Sequence, residues 1–167
     1  MGLFQQPAKG KKMNTIQPDP TAFQPMKITA GRDIDVGFQL EPIIKKVTLD
    51  KMRLYRSQWP RLRNWHNDYT IAQKWGVDQP LVFASQIMEY FGELLIKFFG
   101  TGYLGGTLSL AIIKSAWPDD QITVQGIVRE KAIEGERVRL ILDVWCENQQ
   151  GEKVMVGTAS GLVPYSS

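Results

Sequence analysis

The chain has 167 residues, 43% hydrophobic and 22% charged, which suits one domain around a single core and is too short for two full-sized domains. Lys and Arg number 20 against 17 Asp and Glu, and a net charge of +3 is too small an excess for a surface that tracks nucleic-acid phosphates. One cysteine, Cys146, and one histidine, His66, exclude an internal disulfide and any Cys- or His-rich metal centre, so no metal site is expected.

Residues 1–42 read as a largely irregular N-terminal arm. Pro7, Pro18, Pro20, Pro25 and Pro42 interrupt any helix, and the apolar residues have no period. Met1 to Lys12, with Lys9, Lys11 and Lys12, carries charge but no apolar stretch after it. A secretory leader is not expected, and the default location is cytoplasmic. Gln6 stands where myristoylation needs Ser or Thr. The arm reads first as a solvated tail, dispensable for folding up to Val36. The second reading packs Phe23, Pro25 and Met26 across a partner subunit.

The folded domain is expected over residues 43–167. Ile43 to Val47 is a short apolar run, after which Thr48 caps a helix from Leu49 to about Ser57, broken by Trp59-Pro60. Asp68 is placed to cap a short helix, Tyr69 to Trp75, which Gly76 ends. The longest helix is predicted from Leu81 to Phe99. Ser85, Glu89, Glu93 and Lys97 recur on it every four residues, a narrow polar stripe on a helix otherwise surrounded by protein. Two glutamates and a lysine make it a poor membrane span.

After Gly105-Gly106 the period becomes alternating. Strands are predicted over Leu108 to Ala116, around Ile122, Val124 and Val128 with a bulge at Gly126, over Val138 to Val144, and from Val154 to Leu162. Cys146, next to Trp145 in this pattern, reads as a core side chain rather than a nucleophile. The turns Trp117-Pro118-Asp119-Asp120, Glu134-Gly135-Glu136 and Asn148-Gln149-Gln150-Gly151 predict a four-strand antiparallel meander. The fold class is α+β, with the sheet wrapped around the long helix.

The segment Arg61-Leu62-Arg63-Asn64-Trp65-His66-Asn67-Asp68 places the lone histidine in a polar loop. An imidazole there can cycle a proton near neutral pH, or serve only as a hydrogen-bonding side chain. Asp68 alone reads as a helix cap. Arg53, Arg56, Arg61 and Arg63 form either a solvated basic edge or a phosphate-receiving one.

His66-x-Asp68, then Ala72, Gly76, Pro80 and a long apolar helix, resembles the MaoC-like (R)-specific enoyl-CoA hydratase family. Pro118-Asp119-Asp120, Val124-x-Gly126-x-Val128 and Gly157-Thr158-Ala159 extend the resemblance over roughly Asp35 to Val163. The resemblance implies a hot-dog fold and reversible addition of water to a 2-enoyl thioester, with acyl-CoA as the substrate and no further cofactor. It implies a homodimer, or a hetero-oligomer with another hot-dog subunit, and neither nucleic acid nor membrane as a partner. By the same resemblance His66 is the catalytic histidine and the Ala84 backbone N–H, at a position the family usually fills with glycine, stabilises the developing oxyanion; Asn64, by its own chemistry, would orient the water but not accept its proton. Arg61, Trp65 and Phe83 would contact substrate. Arg61 also departs from the family pattern, which has an aspartate five residues before the histidine. A guanidinium cannot accept a proton, so a second reading is a non-catalytic hot-dog subunit of a heteromeric acyl-CoA enzyme. A third, a hot-dog thioesterase, needs Glu89 or Asp68 as the catalytic carboxylate.

Overall fold

The computed structural model describes residues 27–57 and 63–163, apart from the Arg56 side chain. The basic run Lys9–Lys12, the residues Phe23, Pro25 and Met26, the Trp59-Pro60 break and Arg61 lie outside the described residues. Strand β1 (Ile43–Lys46) leads into helices α1 (Leu49–Arg56) and α2 (Tyr69–Lys74) and the long α3 (Ala84–Phe99). A 3₁₀ turn, Gly100–Gly105, precedes β2 (Thr107–Ile112), β3 (Gln121–Glu134), β4 (Arg137–Glu147) and β5 (Lys153–Leu162). The strands form one antiparallel sheet in the order β1-β3-β4-β5-β2.

Alternation decides which sheet face is buried. Val138, Leu140, Leu142, Val144 and Cys146 of β4 all point inward, beside Ile122, Val124 and Val128 of β3. Onto that face α3 lays Ile87, Phe91, Leu94, Leu95, Phe98 and Phe99, and these residues belong to one continuous core. Gly161 of β5 lies flat under the Phe99 ring, where a Cβ would come within 2.7 Å of ring carbons, so only glycine lets helix and sheet approach this closely.

Three details differ from the sequence reading. The predicted four-strand meander holds only for β3, β4 and β5, because β2 pairs with β5 at the far side of the sheet. The Trp117–Asp120 turn exists, with Asp119 at φ 71° and the Trp117 N–H donating to Asp120 Oδ2, but it ends a crossover rather than a hairpin. Its backbone bonds with Val47 deliver the chain to β1's flank, and pairing with β1 wins over pairing with β2. Second, the bulge falls between Val128 and Glu130, while Gly126 stays in register opposite Val144. Third, α3 begins at Ala84, not Leu81. Phe83 is extended (φ −62°, ψ 129°), which stops a helical run short of Leu81 and Val82, whose N–H groups donate to the carbonyls of Trp65 and Ala116.

Residues 27–42 have little regular structure, yet they are not a loose tail. The segment continues the line of β1 along the β3 edge: Leu40 N–H donates to Gly126 O, Gly37 N–H to Val128 O, and Val128 N–H to Phe38 O. Farther back, Thr29 and Ala30 donate to the Phe98 carbonyl near the end of α3. Ala30, Ile34 and Leu40 are buried in the main core. The expectation that everything before Val36 is dispensable is therefore corrected for residues 27–35. No helix among the described residues is long and apolar enough to cross a membrane.

Candidate active site

His66 lies in the loop 63–68, which is braced by its own side chains. The Asn64 N–H donates to Asn67 Oδ1 at 2.8 Å, and Asn64 Oδ1 accepts the His66 N–H at 3.0 Å. Asp68 closes the loop. Its Oδ1 accepts the Ile71 N–H at 3.1 Å, the predicted N-cap of α2, and its Oδ2 pairs with the Arg63 guanidinium. Arg63 holds the Asp68 carboxyl below the ordinary aspartate range. That carboxylate is committed to structure.

The histidine ring is fixed on three sides. Its Nδ1 lies 2.8 Å from the Leu81 carbonyl oxygen, which can only accept, so Nδ1 carries the proton and Nε2 is the accepting nitrogen of the neutral ring. Phe83 stacks on one face, centroids 3.8 Å apart at 25°, and Trp65 meets it edge-on at 5.3 Å. The late start of α3 matters here. Because Leu81 lies ahead of the helix, its carbonyl is not taken up by a helical bond and holds the imidazole, and Phe83 becomes the helix N-cap.

Ala84 is the first residue of α3, and its φ is not positive, so its backbone holds a conformation any residue can adopt. First-turn amides have no acceptor within their own helix, and the aligned peptide dipoles favour negative charge at that end. The structure thus assembles four of the sequence-predicted residues: His66, Trp65, Phe83 and the start of α3 at Ala84. Asn64 belongs to the same loop, but its Oδ1 is spent on the His66 amide, and only Nδ2 is suited to donate to a water. Arg61 is not among the described residues.

Glu89 fits the carboxylate expectation poorly. It is exposed and accepts the Tyr55 hydroxyl at 2.9 Å, so it does not sit in the apolar site that expectation needs. Tyr55 sits 6.1 Å from the Phe83 ring, and burial pushes its hydroxyl pKa up. Glu93 pairs with Lys97 as its spacing predicts, at 2.9 Å, and also with Lys45 at 2.7 Å. A cavity of about 410 Å³ opens beside that network but involves no residue of the histidine loop, so it is separate from the imidazole chemistry. The cavity next to the loop, about 370 Å³, is lined by Arg63, Asn64, Trp65, Ile71 and Trp75. The sequence reading missed Trp75. A tryptophan at each end of the segment Trp65 to Trp75, with a short helix between, was the available signal.

No family model and no curated protein sequence matches the chain. Solved structures do. The (R)-hydratase from A. caviae involved in PHA biosynthesis superposes with a TM-score of 0.66 at 18% identity, over 80% of this chain and 100% of that one. The MaoC-like dehydratase from Rhodospirillum rubrum gives a TM-score of 0.70 at 18% identity, over 83% of this chain and 98% of that one. The chain has the MaoC-like hot-dog fold. The C-terminally truncated HadBC complex, a 3R-hydroxyacyl-ACP dehydratase from Mycobacterium tuberculosis, shares it with a TM-score of 0.60 at 14% identity, over 77% of this chain and 98% of that one. At these identities the likeness establishes the MaoC-like fold, and the chemistry has to be argued from the residues.

Proposed function

We propose that the chain is a hydratase or dehydratase of acyl thioesters, carried on coenzyme A, and that His66 is its proton-transferring residue. The observation that carries this reading is the Leu81 carbonyl bond, which presents Nε2 as an acceptor beside the N-terminus of α3. In the hydration direction, Nε2 takes a proton from water as the water oxygen bonds to C3 of the 2-enoyl thioester. The C2–C3 π electrons shift toward the thioester oxygen, where the Ala84 N–H and the helix dipole stabilise the negative charge. The imidazolium then returns its proton to C2, so no other proton source or co-reactant is needed. Phe83 and Trp65 shield the imidazole, and Asn64 Nδ2 donates to the attacking water.

One observation favours the second reading, a subunit that completes a heteromeric enzyme. Arg61 replaces the aspartate that shares the water in the resembling family, while Asp68 and Glu89 are engaged by Arg63 and Tyr55. In this reading a partner chain contributes the carboxylate. The working unit is then a hetero-oligomer of hot-dog chains rather than a homodimer.

Loss of the enoyl absorbance of 2-enoyl-CoA tests both. His66→Ala should lower turnover by roughly 10²-fold or more, as loss of a general acid–base group does, while KM changes little. Arg61→Asp should raise it. Turnover that survives His66→Ala unchanged refutes the assignment of His66. A purified chain inert toward every 2-enoyl-CoA, and unimproved by Arg61→Asp, selects the subunit reading.

A further inference from the structure

Beyond Trp65, which shields the imidazole, lies an indole that the hydration chemistry does not use, Trp75. Trp65 touches His66 on one side, with centroids 5.3 Å apart, and Trp75 on the other, 5.9 Å apart and tilted by 53°. The two indoles line the cavity of about 370 Å³ together with Arg63, Asn64 and Ile71. In the single chain Trp75 is 72% exposed, so its indole is accessible to a ligand in the cleft.

We propose that this cleft is the subsite for the adenine ring of the coenzyme A carrier, stacked against Trp65 and Trp75. The inference rests on the acyl-CoA reading above and adds where the nucleotide end sits. Three features favour adenine over the acyl group as occupant. An outer wall as exposed as Trp75 suits the solvated end of the carrier, whereas an acyl chain gains most from full burial. Indoles bind any base through its π face, with stacking strength that needs no hydrogen-bond pattern. The surrounding cations complement phosphates: Arg63 lines the cavity, Lys74 precedes Trp75, and Arg53 donates to the Asn67 carbonyl of the same loop. Asp68 engages Arg63 through Nε and Nη2, which fixes the guanidinium plane and leaves its Nη1 donors directed to other acceptors. The ring contacts put Trp75 no more than about 11 Å from the imidazole, so a folded pantetheine arm would connect the two sites.

Calorimetric titration of the full chain with adenosine 3′,5′-bisphosphate, which carries no acyl group, tests the subsite without turnover. Saturable binding is expected, weakened at least about tenfold by Trp75→Ala, largely retained by Trp75→Phe, and weakened by added salt. A matched titration with cinnamoyl-pantetheine, which has an aryl ring and no nucleotide, is expected to be insensitive to Trp75→Ala. Absence of nucleotide binding, or binding unchanged by Trp75→Ala, overturns the proposal. Loss confined to the cinnamoyl probe overturns it in favour of an aryl-acyl site. Nucleotide binding at Trp75 in a chain that hydrates nothing leaves the subsite standing and removes the hydratase reading. Hydration without Trp75-dependent binding does the reverse.

Discussion

Ile34→Ala is the sharpest test of the packed segment before β1. Ile34 is only 8% exposed and belongs to the same core as Leu40, Phe98 and Val128, although its own segment has almost no regular structure. Truncating a buried isoleucine to alanine costs about 2–5 kcal/mol, depending on how far the site collapses. Ile34 sits at the margin of the core on a segment held by a few backbone bonds, so the lower end applies, about 2 kcal/mol. For a protein of this size each kcal/mol moves Tm by about 2–4 °C, which predicts a fall of about 4–8 °C. Ile133→Ala supplies the comparison, because that side chain is 82% exposed and its truncation should stay within about 0.5 kcal/mol. Thermal unfolding by circular dichroism at one protein concentration reads both. Variants with equal Tm would show that residues 27–42 do not pack on the body.

Two further outcomes follow from individual side chains. Lys45 first, then Lys97, holds the Glu93 carboxyl below its ordinary range, so the ion pairs stabilise the fold fully above the unfolded glutamate value, about 4.3, and lose that effect as pH falls through the lowered folded value. The stability gap between wild type and Glu93→Gln should therefore narrow in acid below that value, and a constant gap from neutral pH downward would refute it. Burial pushes the Cys146 thiol up to about 11. Native protein should resist iodoacetamide at pH 8 and react only when unfolded in guanidinium, whereas fast native labelling would contradict the burial.

The sequence is most legible where one periodicity governs an element. In β4, Val138 to Cys146 alternates without interruption, and both its faces and its partners could be read directly. The helix α3 was equally plain through its core face, but not at its start. Leu81 and Val82 continue the apolar run, yet they stand outside the helix, bonded to Trp65 and Ala116, partners distant in sequence. The same limit explains β2. A Pro-Asp-Asp turn has the composition of a hairpin, and nothing local distinguishes a hairpin from a crossover that ends in the same turn. Residues 27–42 bury Ala30, Ile34 and Leu40 at intervals with no period, so no face could be recognised. The histidine loop was found because it holds the only imidazole, but the group that orients it is a backbone carbonyl, invisible to residue-type reasoning.

That carbonyl links the fold to the chemistry. In the resembling family a carboxylate shares the water with the histidine; here the residue at that sequence position is Arg61, and the ring is held by the Leu81 carbonyl. A neutral carbonyl fixes the tautomer and the ring plane as a carboxylate does, but it stabilises the imidazolium less, because it adds a dipole where the carboxylate adds a full charge. On the proposed hydratase reading, the missing charge makes proton transfer to Nε2, more than positioning, the step expected to limit turnover. This is why restoring one negative charge, by Arg61→Asp or from a partner chain, is the change to which such a site responds most, while exchanges among the rings that pack His66 alter its geometry and leave that electrostatic deficit in place.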